Sequence, residues 1–391
     1  MPQAGLPMPR SPTLITLVLL TMSTALSLNM FLPALPAMAI AFNVNYSTIS
    51  LSIGGYLAIT AVLALVIGPL SDRIGRRPVV LGMTVIFTGA SIAAALVQDI
   101  TWFLVARFCQ GVMVGGFILG SSIVRDTRSE KDVAPMLSTI TAIMALAPIV
   151  APIVGGLVVE TLGWRAVFWL YAIIGLGLAL LSLLDVTETC PKLQNQDRPP
   201  AKDLLIRPRF WVLVGTIACA NSGFYVFLAG IPIVAAAAFG LSASAMGFAL
   251  SSITVGFLFG STAGRWISKA KGARDTLLLG RIIALAGLTA GLISTSLWPD
   301  QTWALLGATV FIGMGNGMTV PSTNALIMSL NPKLAGTAMG FSGSSVVGTG
   351  AFFTLVTAAI LDITPTAFAL VAVLWCLTCL SLVLASIERR F

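Results

Sequence analysis

The sequence predicts an all-α membrane protein with twelve transmembrane helices, arranged as two pseudo-symmetric six-helix bundles. Of the 391 residues, 57% are hydrophobic and only 9% are charged, and the mean hydropathy is +0.98. So apolar a chain cannot bury all of its apolar surface in the core of a water-soluble protein. The chain also divides into twelve apolar segments, each near the roughly 20 residues that a spanning helix requires. Finally, the longest polar stretch separates six of these segments from the other six.

The apolar segments are read as helices because they show no strand periodicity. Strands of a membrane barrel alternate apolar and polar residues, whereas residues 59–67 and 170–184 are apolar without alternation. The predicted spans are residues 13–39, 47–71, 79–98, 101–125, 135–160, 165–185, 210–238, 243–268, 276–297, 300–330, 333–360 and 364–387.

The division into two halves rests on the polar, proline-rich residues 187–209, which are predicted to form a cytoplasmic linker. The predicted bundles are residues 13–186 and 210–391, and residues 1–12 are predicted to form a mobile N-terminal arm. Most of the 22 basic residues fall on the side that holds this linker. The net charge of +8 therefore reflects the positive-inside rule and not a nucleic-acid partner. Both termini are predicted to be cytoplasmic.

A glycine- and arginine-rich loop joins spans two and three. Asp72 at a helix end can accept hydrogen bonds from a neighbouring helix, the glycines permit close approach and a tight turn, and arginines pair with acids or lipid phosphates. A weaker copy occupies residues 260–272, which implies two halves related by an axis along the membrane normal with solute bound between them. Gating is favoured over a purely topological role, since topology does not need Asp72. The candidate gating residues in this loop are Gly68, Asp72, Arg73, Gly75, Arg76 and Arg77.

With this loop, the chain resembles the major facilitator superfamily over essentially its whole length, because every defining position of the GxxxDRxGRR signature is matched. Residues 107–111, Arg-Phe-Cys-Gln-Gly, resemble the RxxQG motif of drug:proton antiporters. Residues 147–156, which include Pro152, Gly155 and Gly156, resemble the antiporter motif GxxxGPxxGG with alanine at two glycine positions. The second motif is either a hinge for alternating access or a site of close helix packing.

Three further segments narrow the resemblance to the bicyclomycin and chloramphenicol resistance branch: residues 29–36, 224–232 and 335–338. The resemblance implies export of drugs in exchange for protons. The chain departs from that branch at Asn29, where its members usually carry an aspartate. No carboxylate and no histidine is predicted near the membrane midplane, and an amide cannot carry a proton. We therefore expect a weak or shifted proton dependence.

Arg107 is the most conspicuous ionisable residue predicted inside the membrane, where a buried charge is expensive. One interpretation is that Arg107 takes part in coupling or in solute binding. The other is that it only stabilises the bundle by donating to carbonyls or side chains of neighbouring helices. Arg281 lies closer to a helix end, so we expect a structural side chain that reaches the cytoplasmic surface. Amides, aromatic rings and methionines on pore-lining helices complete an adaptable pocket. The candidate substrate-binding residues are Asn29, Phe31, Tyr56, Arg107, Gln110, Met113, Met144, Asn221, Phe224, Tyr225 and Phe227.

The sequence lacks the residues that an enzyme would need for catalysis, so a transporter is favoured over an enzyme. The chain has no histidine, no GxSxG motif and no predicted midplane carboxylate. A CxxC at Cys376 and Cys379 lies in an apolar span without a nearby base, so neither metal nor cofactor is expected. A sensor or scaffold would be expected to carry an added soluble domain. The expected partners are a small solute, membrane lipids and, if the family coupling holds, protons, with a monomer in the bacterial inner membrane. Export of amphiphilic drugs or a related metabolite is favoured, and uptake, uniport or a differently coupled transport is the alternative.

Overall fold

A computed structural model describes residues 11–189, 202–331 and 334–388. Within these ranges, the regular structure is helical and contains no strand, which confirms the all-α prediction. The spanning helices are α1 (Leu14–Phe42), α2 (Tyr46–Ile74), α3 (Arg76–Leu96), α4 (Ile100–Thr127), α5 (Lys131–Leu162), α6 (Trp164–Asp185), α7 (Pro208–Phe239), α8 (243–271), α9 (273–297), α10 (Thr302–Leu330), α11 (Gly336–Ile363) and α12 (Ala367–Glu388).

The count of twelve spans depends on one glycine. Eleven helical segments in the described ranges are long and apolar enough to cross a bilayer, and one of them has 55 residues. That segment contains Gly272, whose φ of 85° and ψ of 167° are not helical. Glycine has no Cβ and adopts a positive φ without steric cost. Gly272 thus separates α8 from α9, and the prediction of twelve transmembrane helices is confirmed.

Three spanning helices are interrupted near the sequence motifs, and in α5 the break is at residues 145–146. In α1, the residues Leu32–Ala34 form a 3₁₀ turn that contains Pro33, which has no N–H to continue the helix. In α4, Gly111–Met113 form a second 3₁₀ turn. A hydrogen bond joins α1 and α4 here, since the Thr24 hydroxyl donates to the Met113 carbonyl at 2.6 Å. The Asn29 and Arg107 regions lie side by side next to these breaks, since Arg107 donates to the Ser27 carbonyl at 3.3 Å.

The two halves meet through α2 against α11 and through α5 against α8. We call the membrane end that carries residues 185 and 208 the linker end, and the opposite one the far end. At the far end, Asp362 of α11 accepts from the Tyr46 backbone N–H at 3.1 Å and from the Ser47 hydroxyl at 2.8 Å. Glu160 of α5 accepts from the Ser244 N–H at 3.1 Å. Each carboxylate thus caps a helix of the other half.

At the linker end, the bonds that the structure describes hold each half together on its own. Buried Glu388 accepts from Arg209 at 2.7 Å and from Arg274 at 2.6 Å, and so ties α12 to α7 and α9. The side chains of α5 between residues 131 and 146 are largely exposed, with Ile140 the one buried among those described. The halves therefore close the far end and diverge toward the linker end.

Candidate transport site

A cavity of about 180 Å³ lies between the two halves at mid-membrane depth. Its apolar wall includes Phe224, Ile253 and Phe257, and its polar groups come from Asn221, Thr254 and Asn316. Apolar walls with a few placed polar groups are typical of small-molecule sites. The full lining is Ala145 and Pro148 of α5, Asn221 and Phe224 of α7, Ile253, Thr254 and Phe257 of α8, and Gly313 and Asn316 of α10.

Behind this cavity, Arg281 lies buried with 1% of its surface exposed. Its Nε donates to the Thr319 hydroxyl at 2.8 Å and its Nη2 to the Asn316 Oδ1 at 2.6 Å. The expectation that Arg281 reaches the cytoplasmic surface is wrong. The reason is that Gly280 and Gly315 bring α9 and α10 into backbone contact, and residues 316 and 319 then present two acceptors on one helical face.

In the other half, Arg107 is fully buried among aromatic rings. Its guanidinium carbon lies 4.0 Å from the Phe31 ring centre and 4.7 Å from that of Tyr56, which is cation–π geometry. It donates to the Gln110 side chain and, at 3.3 Å, to the Ser27 carbonyl. Its Nε has no acceptor in the described structure. Arg107 is thus held without a carboxylate among these partners.

The structure places the remaining predicted pocket residues unevenly. Asn221 and Phe224 line the cavity, and the Tyr225 ring lies 5.7 Å from that of Phe224. Asn29 is 2% exposed, and its Nδ2 donates to the Ala25 carbonyl at 2.7 Å. Away from the cavity lining are Met113, Met144 and Phe227, of which the first and last are fully buried and the second is half-buried against the apolar core.

Sequence reasoning missed the lining contributed by α8 and α10. Thr254 and Asn316 both face the cavity, and the Thr254 hydroxyl has no hydrogen-bond partner in the described structure. Asn316 carries a signal that sequence could have used, because an amide in an apolar span is the same feature that singled out Asn29 and Asn221. Thr254 carries no such signal, since threonines are frequent in these spans.

The loop between α2 and α3 forms a network of charged hydrogen bonds at the linker end. Arg76 pairs with Asp72 at 2.5 Å and with Asp126 of α4 at 3.1 Å. Its backbone N–H donates to Glu188 at 2.8 Å. Gly75 has a φ of 104°, and a side chain there would overlap Glu188. This network fastens α2, α3, α4 and the start of the linker to one another.

The other predicted gating residues of this loop differ in their surroundings. Arg77 donates to the Leu183 carbonyl at 3.1 Å, and Arg73 is exposed. Gly68 has open space where a Cβ would lie, so the expected close helix approach is not made at this glycine in the described conformation.

The motif in α5 packs tightly at the far end. A Cβ at Gly155 would overlap the Met30 carbonyl of α1, and one at Gly156 would overlap the Ala243 carbonyl at the start of α8. Pro152 is buried, and its carbonyl lies against Gly247. These contacts support close helix packing. A hinge at Pro152 stays a prediction.

Comparison with known proteins identifies the fold and the family. A bacterial homologue of the human lysosomal transporter Spinster, solved in an inward-facing and occupied conformation, superposes with a TM-score of 0.81 at 15% identity, over 96% of each chain. The sequence pattern of the Major Facilitator Superfamily matches residues 17–355. The chain belongs to the Major Facilitator Superfamily. This membership confirms the prediction of a transporter rather than an enzyme.

Relatives within the superfamily are named as resistance proteins. The multidrug resistance protein MdtL of Shigella flexneri serotype 5b is 28% identical over 347 residues, which cover 84% of this chain and 87% of the relative. MdtL of Escherichia coli O17:K52:H18 is 29% identical over 349 residues, with the same coverage. The bicyclomycin resistance protein homologue of Haemophilus influenzae is 28% identical over 353 residues, 86% of each chain. These relatives confirm the resemblance to the drug-transporting branch of the superfamily.

Proposed function

We propose that this protein exports small amphiphilic drugs or a related metabolite across the bacterial inner membrane by alternating access. The observation that carries the proposal is the apolar cavity between the two halves, with Asn221 and Phe224 on its wall. An amide can orient a polar group of the solute while an aromatic ring contacts its apolar body. The names of the MdtL and bicyclomycin resistance relatives support a drug-like substrate.

The shape of the described conformation supports loading of the cavity from the linker end. The far end is closed by Asp362 and Glu160, and the halves diverge at the linker end. We assign the linker end to the cytoplasm because most basic residues lie there. The cavity then accepts solute from inside the cell. One chain supplies both halves, so a monomer suffices for transport.

Release outward requires the linker end to close. The loop around Asp72 and Arg76 lies at that end and fastens three helices of the first half together. We propose that this loop stabilises the outward-facing state by contributing to closure at the linker end.

The form of coupling has two candidates. Family resemblance favours proton antiport. Uniport or another form of coupling is favoured by Asn29, because an amide cannot carry a proton. It is also favoured by the positions of the acidic residues, since every one in the described ranges lies in a terminal helical turn or outside the spanning helices. Antiport without a midplane carboxylate would need a peripheral acid that acts through conformational linkage.

A drug-susceptibility assay tests the export proposal. The wild-type chain is expressed in a bacterial host that lacks its own efflux pumps, and growth inhibition and drug accumulation are measured over a panel of amphiphilic compounds. We expect lower accumulation of some of them. Asn221→Trp, which extends a large ring from the cavity wall, should abolish the effect at equal expression. Unchanged accumulation of the whole panel would contradict drug export, and restored nutrient uptake in auxotrophs would favour the alternative.

A further inference from the structure

Within the described residues, the spanning helices carry two buried positive charges, Arg107 and Arg281, whose hydrogen-bond partners include no carboxylate. Arg107 and Arg281 are 0% and 1% exposed. Their hydrogen-bond acceptors in the described structure are amides, a hydroxyl and a backbone carbonyl, all of which are neutral. Removing a cation from water without a counter-charge is costly, and a neutral acceptor repays only part of that cost.

One of these cations is in direct contact with the wall of the cavity. Arg281 donates to Asn316, and Asn316 itself lines the cavity. The Asn316 Nδ2 donates to the Ala220 carbonyl at 3.1 Å, which fixes the orientation of the amide. The cavity therefore lies within the electrostatic field of a fixed positive charge, in a region of low dielectric constant where such a field is strong.

The cavity also offers a hydrogen-bond donor without a protein acceptor. Residue Thr254 lines the cavity with 6% of its surface exposed, and its buried hydroxyl has no partner in the described structure. A hydroxyl donates readily to an anionic oxygen, and such charge-assisted bonds are stronger than neutral ones. The rings of Phe224 and Phe257 and the side chain of Ile253 provide an apolar surface beside it.

Building on the proposed export function, we infer that the substrate is an amphiphilic organic anion and that the membrane potential drives its export. The anionic group faces Thr254 and Asn316 and supplies the counter-charge that Arg281 lacks. The aromatic or aliphatic body of the anion packs against Phe224 and Phe257. A bacterial cytoplasm is electrically negative, so an anion that leaves the cell moves down the electrical gradient, and transport then needs no titratable group at mid-membrane.

Binding is tested with three probes that share one ring system and differ in charge: naphthalene-2-sulfonate, its neutral sulfonamide and a naphthyl trimethylammonium. Purified protein in detergent is titrated with each probe at pH 7.5. We expect the sulfonate to bind at least tenfold more tightly than the sulfonamide, and the cation to bind most weakly. Equal affinities, or no binding of the sulfonate, overturn the inference, whereas drug export measured in cells then still stands.

Two variants test whether Arg281 causes the preference for the sulfonate, and the second is chosen so that misfolding does not explain its effect. Arg281→Gln should remove the preference for the sulfonate. Asn316→Asp is nearly isosteric and supplies a carboxylate to Arg281 at an existing hydrogen bond, so it should cancel the preference while the protein stays folded. Arg125→Gln removes an exposed cation at the linker end and should leave the preference unchanged. Retention of the sulfonate preference in Asn316→Asp would overturn the assignment.

Transport is tested in proteoliposomes with the sulfonate, which stays ionised at any working pH and so cannot carry protons. A potassium gradient with valinomycin sets the interior positive. We expect concentrative uptake toward a ratio of roughly 50-fold at 100 mV, and none with the potential reversed or with a pH gradient alone. Accumulation driven by the pH gradient but not by the potential would overturn the electrical coupling and leave the export function standing.

Discussion

Closure at the far end is expected to depend on the two carboxylates that cap helices across the halves. Asp362→Ala removes two hydrogen bonds, to the Tyr46 N–H and the Ser47 hydroxyl. Glu160→Ala removes the bond to the Ser244 N–H. Both carboxylates are exposed, so neither cap is strong, and the loss of the Asp362 cap is expected to cost about 1 kcal/mol, the typical value for a helix cap.

This magnitude predicts a measurable shift between conformations. A loss of about 1 kcal/mol at Asp362 changes the ratio of far-end-closed to far-end-open molecules roughly fivefold, and the Glu160 change shifts the ratio further in the same direction, since distant sites add. Pulsed electron paramagnetic resonance between spin labels at Gln98 and Gln301, in far-end loops of different halves, measures the populations. The native cysteines are first replaced by serine.

A matched control separates this effect from the general loss of a helix cap. Asp99 caps α4 within the first half, through the N–H groups of Thr101 and Trp102. Asp99→Ala should therefore lower thermal stability but leave the distribution of distances between the labels unchanged. An unchanged distribution in the Asp362→Ala, Glu160→Ala double variant would refute the idea that these caps hold the far end closed.

Three further predictions concern the gate, the coupling and the packing. Asp72→Asn should slow turnover in proteoliposomes several-fold at nearly normal expression, and wild-type turnover would leave only the topological role. Asn29→Asp should make transport more dependent on pH or shift preference toward cations, because it adds a titratable group; robust proton-driven, concentrative transport by the wild type in a pH-jump assay would contradict this. Gly155→Ala should lower the free energy of unfolding by about 1–3 kcal/mol, because the added Cβ overlaps the Met30 carbonyl. Gly89→Ala is the control, since there is open space around Gly89, and it should be neutral or stabilising in thermal unfolding.

Sequence predicted the spans because membrane-spanning helices need long apolar runs, and these are visible in the chain itself. It also predicted that Arg107 and Gln110 would lie in the membrane, and the structure adds that Phe31 and Tyr56 surround the guanidinium. The contacts of Arg281 were not predictable in the same way. Whether an arginine one or two turns inside a span reaches the surface depends on the rotation of its helix and on what the neighbouring helix presents.

Prediction of the cavity wall from sequence is limited in the same way. Asn221 and Phe224 were predicted because polar and aromatic side chains in an apolar span are conspicuous, and both line the cavity. Thr254 was not, since its role arises from where α8 faces the other half and not from its residue type. Gly68 is the converse case, because a conspicuous motif position has no close neighbour in this conformation.

The anchoring of the chain on both sides of residues 190–201 bears on how far the halves can move. Glu188 is fixed to the first half by the Arg76 N–H, and Arg207 is fixed to the second half by the Leu330 carbonyl at 2.8 Å. The chain between these two anchors would measure about 65 Å if fully extended, roughly twice the thickness of the hydrocarbon core. The connecting peptide therefore sets no practical limit on the rocking of one half against the other, and that limit comes from the helix contacts at the far end.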